Sequence, residues 1–248
     1  MGQKTLQSFM RRWHRRLAIV IGLQFLAWTL GGAYFAWFHI DNVRGQYERN
    51  VSPAKASLRS GSLAGKSLLP IDELSNKVQL KAIHTVELIH WRGQWAYWFK
   101  QDRDQSRLIN AQTGAQLSPV SEDTAVAIAQ DDFAHASPVL AVTRLEAHNN
   151  EYKGPLPAYQ VTFDHPKKTN LYVHENSGRV TARRNWVWRG FDFLWMLHIL
   201  DFNAREDFNN WALRILSILG LITLFSGYGL WFLTSMRWRN LRMKILGP

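Results

Sequence analysis

The chain has 248 residues, 46% apolar and 20% charged, with a formal charge of +11 and a pI near 10.1. It contains no cysteine, which excludes disulfides, iron–sulfur clusters, thiolate catalysis and covalent c-type haem, so any redox cofactor would be held non-covalently. Two long apolar runs enclose about 170 residues between them, room for one modest core.

The basic charge is concentrated at the two ends. Lys4, Arg11, Arg12, Arg15 and Arg16 precede the first apolar run, and Arg237, Arg239, Arg242 and Lys244 follow the second, with no acidic residue in either flank. Positive residues beside two spans place both termini in the cytoplasm and the intervening segment on the far side. Short basic clusters abutting apolar spans argue against a nucleic-acid arm. The expected partner is therefore the lipid bilayer.

Residues 1–16 form a basic cytoplasmic segment, partly helical. Leu17 to Phe38 runs about 22 residues without a charge, long enough to span as a first transmembrane helix. No small-x-small cleavage site follows Gly31-Gly32-Ala33, so this reads as an uncleaved anchor. Residues 39–67, rich in Gly, Ser, Pro and Lys, read as a stalk.

Order resumes at residue 68. Pro70-Ile71-Asp72-Glu73-Leu74 opens a helix, with acids at its positive end. Strands are expected at Lys81–Trp91, Gln94–Gln101 and Arg107–Asn110. A second unit then follows, with a helix from Pro119 to about His135 capped by Ser121, and strands at Val139–His148, Ala158–Phe163 and Asn170–His174. Ile109 to Gly114 and Val173 to Gly178 align without gaps. The pattern predicts an α+β fold in which a duplicated helix-plus-three-strand domain, residues 68–119 and 120–185, lies between two transmembrane helices.

Residues 186–210 read as an interfacial amphipathic segment, Trp211 to Thr234 as the second span, and residues 235–248 as a basic cytoplasmic tail. Gly31, Gly32 and Ala33 in one span and Gly220, Ser226, Gly227 and Gly229 in the other offer small-residue faces for helix packing, within the chain or against partners. His198 shares a helical face with Phe191, Leu194 and Trp195. It could ligate haem iron, with Asp201 orienting its second nitrogen, or be an ordinary interfacial histidine. His39 ends the first span on the same side. His14 lies at the opposite end, about a membrane thickness from His198, so one haem cannot join the two within one chain. In the central domain, His165, His174 and Asp164 near one hairpin form a weaker metal candidate.

The two repeats resemble the PepSY domain, a helix followed by three strands ending in a motif like aspartate-x-x-Thr-Gly. Asn110 and His174 stand where that family has the aspartate. Trp13-His14-Arg15-Arg16-Leu17, Leu197-His198-Ile199-Leu200-Asp201-Phe202 and Ser226-Gly227-Tyr228-Gly229-Leu230-Trp231 are similar to motifs of PepSY-associated transmembrane helices. Larger four-helix members include membrane ferric-siderophore reductases that hold b-type haem through histidines.

The resemblance implies an inner-membrane bacterial protein with a periplasmic central domain. It also implies electron transfer linked to iron reduction or extracytosolic flavin chemistry, with His14 and His198 as candidate axial ligands and His39 as a further candidate. With two spans the chain would supply half a haem bundle, completed in a homodimer or larger membrane complex and served by a periplasmic redox partner. Residues 110–116 resemble a covalent flavin-attachment signature, but Gln116 at the acceptor position has no hydroxyl, so covalent flavin is not expected. The alternative is a non-catalytic PepSY module, acting as a peptidase regulator or an accessory subunit of a membrane complex.

Overall fold

The computed structural model describes residues 3–50, 67–77, 83–101 and 106–235. The chain divides into two units, one formed by residues 1–37 and 190–248, the other by residues 38–189. The fold is α+β, with two apolar helices and two antiparallel sheets.

In the first unit, helix α1 spans Gln3–Trp37. The basic segment is thus continuous with the apolar one, because arginine, glutamine and leucine are good helix formers and no breaker separates them. The last helix, Trp211–Thr234, coincides with the expected second span; Asn210 caps it by accepting the Leu213 N–H at 2.9 Å. Ser8–Trp37 and Trp211–Phe232 are long and apolar enough to cross a membrane. Arg214 lays its guanidinium over the Trp211 ring, 5.3 Å from the centroid.

The second unit begins with a short helix, α2 (Ile40–Val43), and a 3-10 turn at Gln46–Glu48. Residues 39–50, expected to be loose stalk, are packed: Val43 is 2% exposed and Glu48 is 1% exposed. The Glu48 carboxylate accepts from Thr169 Oγ1 at 2.7 Å and Asn185 Nδ2 at 2.8 Å, with the Lys167 ammonium at 3.2 Å. A buried charge requires such satisfaction. The rest of the expected stalk, residues 51–66, lies outside the described residues.

Helix α3 (Ile71–Lys77) precedes strands β1 (Thr85–Trp91), β2 (Gln94–Lys100) and β3 (Ser106–Asn110), which form a three-stranded antiparallel sheet. Leu74 packs with Trp95, Tyr97, Phe99 and Ile109. Burying each of these large side chains contributes roughly 1.5–3 kcal/mol.

Helix α4 (Glu122–Asp132) has Ser121 as its N-cap, accepting from Thr124 N–H at 3.3 Å. It lies on a sheet of β4 (Val139–Leu145), β5 (Ala158–Phe163), β6 (Asn170–His174) and β7 (Arg179–Arg184). This sheet has four strands where three were expected. β7 carries three arginines, which hide its period-2 pattern. Arg183 is 8% exposed yet paired with Asp132 (Nε to Oδ2, 2.6 Å), and Arg184 stacks on Trp188 at 4.3 Å.

The sheets meet where Trp91 Nε1 donates to Gly178 O at 3.0 Å and the Arg179 guanidinium covers the Trp98 ring at 4.1 Å. The aligned turns share a geometry. Gly114 donates to Asn110 O and Gly178 to His174 O, each at 2.9 Å, with the glycines at φ +71° and +57°.

Helix α5 (Trp186–Ile199) leads into the loop before the last helix, α6 (Trp211–Thr234). Only the first part of the expected 186–210 amphipathic segment is therefore helical.

Candidate functional site

Helices α1 and α6 pack against each other, and glycine sets how closely they approach. A Cβ at Gly220 would stand 4.0 Å from Ile21 and Phe25, one at Gly227 would stand 3.1 Å from His14 Cε1, and one at Gly229 would stand 3.2 Å from Met10 Cε. Met10, His14, Ile21 and Phe25 follow helical spacing along one face of α1. The small-residue face of α6 is therefore used within the chain. So is that of α1, where Gly31 lies against Leu194 of α5.

This packing fixes the His14 ring. Its Nδ1 lies 2.8 Å from Ser226 Oγ, and Ser226 Oγ lies 2.8 Å from the Thr223 carbonyl to which it donates. With the hydroxyl hydrogen spent on that carbonyl, the hydroxyl oxygen accepts from Nδ1–H, so the hydrogen-bond network assigns the tautomer. The Nε2 lone pair then has no hydrogen-bond partner among the described residues. Beside it runs a groove of about 480 Å³ walled by Phe25, Leu224, Tyr228 and Trp231. An Nδ1–H held by an acceptor and an open Nε2 form the arrangement by which proteins present imidazole to a metal.

His198 sits in a different environment. Its ring is parallel to Trp195 at 5.9 Å and tilted against Trp28 at 5.8 Å and Phe35 at 6.4 Å. Its Nδ1 is buried without a hydrogen-bond partner among the described residues. Asp201 does not orient it. The Asp201 carboxylate accepts the backbone N–H groups of Asn203, Ala204, Glu206 and Asp207, which hold its pKa below the ordinary value. An aspartate just past a helix end competes well for loop amides, and here that local bonding overrides its i+3 spacing from the histidine. His14 lies on α1, and His198 packs against α1 at a different height, beside Trp28 and Phe35. From residue 14 to residues 28 and 35 is about 21 to 32 Å along a helix, so the two histidines do not share a ligand within one chain.

His39 belongs to the second unit, and its ring is engaged locally. Nδ1 is 3.3 Å from the Asp41 N–H and 3.4 Å from the Asp41 carboxylate, and the ring stacks on Tyr47.

Nor does the second unit bring His165 and His174 together. They flank opposite ends of β6, roughly 17 Å of strand apart. His165 stacks on His135 at 4.6 Å, and His174 Nδ1 lies 2.9 Å from Ser177 Oγ. Among the described residues no group of three or more His, Asp or Glu could hold a metal ion. At the turn after β3, Asn110 Oδ1 accepts the N–H groups of Gln112 and Thr113, both at 2.9 Å, so strand-ending turn chemistry accounts for those residues.

Two features were not anticipated from sequence. Gln24 Nε2 and Trp28 Nε1 of α1 donate at 2.9 Å to the carbonyls of Leu197 and His198, satisfying the C-terminal end of α5. Gln24, a polar side chain inside an apolar run, was the available signal. Glu151 accepts from Arg189, Tyr172 and Asn170. Burial pushes its carboxyl up, and those donors outweigh burial and leave it lowered.

No protein-family model, curated protein or solved structure matches the chain.

Proposed function

We propose that this chain is a two-span, PepSY-like protein of a bacterial inner membrane that takes part in electron transfer, holding b-type haem through His14. Its termini would be cytoplasmic and its duplicated α+β domain periplasmic. The paired turns at Asn110–Gly114 and His174–Gly178 support the duplication, and the basic flanks support the orientation.

The observation that carries the reading is the His14 ring, held at Nδ1 by Ser226 with Nε2 unpartnered among the described residues and beside an apolar groove. Haem would supply one-electron chemistry. The chain's own part would be to fix the imidazole through Ser226, to admit the His14 ring by having glycine at position 227, and to exclude water with Phe25, Leu224, Tyr228 and Trp231. The exposed guanidinium groups of Arg11 and Arg15, one turn or less from His14, suit the acidic edge of such a group. Any further histidine holding the group would come from a second copy or another subunit, because His198 stands at a different height along α1.

The test is electron delivery. The haem-loaded chain in detergent, reduced and mixed rapidly with ferric citrate, is expected to reoxidise at a rate that rises with ferric concentration. A chain that stays reduced would contradict an iron-reducing role.

A second reading, a non-catalytic binding module, is supported by the position of β4 at one end of the four-stranded order, with Leu140 63% exposed. An open strand edge suits addition of a partner's strand. Pull-down with wild type and with Leu140→Lys would separate this reading, because the edge variant should lose the partner while keeping haem.

A further inference from the structure

The β4–β7 sheet has one face packed on α4 through Val161, Phe163, Leu171 and Val173. Over the other face the 146–157 connection folds back, stacking Tyr152 on Tyr172 at 4.7 Å and covering Ala158 and Ala182. A cleft of about 780 Å³ remains beyond it, lined by Gln160, Thr162 and Asn170 of the sheet and by Asp164, His165, Lys168 and Arg189. Volumes of this order suit a metabolite-sized ligand.

The available chemistry is mostly that of donors. The Gln160 amide, the Thr162 hydroxyl and the Lys168 ammonium have no hydrogen-bond or ion-pair partner among the described residues. His165 Nδ1 accepts the Lys167 N–H at 3.3 Å, so a neutral ring carries its hydrogen on Nε2. Arg189 is committed, with Nε donating to Glu151 Oε1 at 2.6 Å and Nη1 to Lys168 O at 2.7 Å. Asp164 is the one acidic residue among the described residues lining the cleft, and it disfavours a second negative charge nearby.

Lys168 also has a left-handed backbone at φ +49°, which disfavours it relative to glycine or asparagine. Arg92 and Arg205 share that conformation, but each spends its side chain on an ion pair, with Asp131 at 2.7 Å and with Asp192. Lys168 has no such partner among the described residues.

We propose that this cleft binds a metabolite-sized ligand through a single oxyanion, a carboxylate or a phosphate, held by the Lys168 ammonium with Thr162 and Gln160 as neutral donors. The site is independent of haem and of the membrane orientation.

Calorimetric titration of the detergent-solubilised full chain with inorganic phosphate and, separately, with succinate, at constant ionic strength, tests it. Saturable binding of either probe is expected, and which one binds identifies the oxyanion. Lys168→Gly retains the left-handed backbone without strain, so it should fold, and it should weaken that binding about tenfold or more, as expected for loss of a charge-assisted hydrogen bond. Thr162→Val should weaken binding as well and serves as a second variant should the glycine variant misfold. Failure of both probes to bind wild type, or unchanged affinity in a folded variant, would overturn the proposal.

Discussion

His14 and Ser226 are 212 positions apart in the chain, and a 2.8 Å hydrogen bond joins them across the α1–α6 contact. That bond sets which imidazole nitrogen is available, and it depends on glycine at position 227 next to it.

Ser226→Ala should leave the helices packed, because alanine is smaller and a good helix former. It should free the ring and weaken haem affinity by about 10- to 100-fold, the usual effect of losing a ligand's supporting hydrogen bond. Gly227→Ala should act more severely, by driving a methyl toward His14 Cε1. Hemin titration followed at the Soret band checks both.

Gly178 and Gly45 are required for two reasons at once. Both have left-handed backbones, at φ +57° and +67°, and an added Cβ would lie 2.9 Å from Trp91 Nε1 and 2.8 Å from Arg183 Cβ. Alanine at either should cost more than the roughly 1–2 kcal/mol of backbone strain alone. Gly93, at φ +82° with open space around it, should show the backbone cost only. Thermal unfolding of the three variants orders them.

Glu48 is buried and satisfies Thr169 and Asn185 while facing Lys167. Glu48→Leu should destabilise the second unit by roughly 3–5 kcal/mol, the range for breaking a buried ionic cluster. Glu48→Gln should cost less, because it keeps an acceptor for one donor. Denaturant midpoints measure the difference.

Burial, and then the charges of His135 and Lys167 against the opposing pull of Glu48, hold His165 below its ordinary value of 6.5. The unfolded chain therefore binds this proton more readily. Stability from this residue is full above about pH 6.5 and is lost as pH falls from there toward the folded value. Melting temperature should drop between about pH 7 and pH 5 in wild type, and His165→Asn should reduce that drop.

Much of the fold was legible because strong local patterns agreed with the final packing. The Trp211–Thr234 helix, strands β5 and β6 and the Ser121 cap were all expected where they occur. β7 was hidden because its arginines look solvent-facing until Asp132 and Trp188 are brought to them. The candidate site was legible only in part. His198 and His39 could be named from position and His14 from the motif resemblance, but the partner that distinguishes His14 comes from the other end of the chain, beyond any local periodicity. The i+3 spacing makes Asp201 a candidate partner for His198, but the backbone amides of its own loop, which no spacing reveals, take its carboxylate.

The most direct test of haem ligation at His14 is the absorption spectrum, oxidised and dithionite-reduced, of the chain purified from membranes of haem-producing cells, beside His14→Ala and His198→Ala. A Soret band with a sharpened reduced α-band, lost in His14→Ala and kept in His198→Ala, is the predicted result. A folded wild-type chain without visible absorbance, or a spectrum that survives in His14→Ala, would contradict the account.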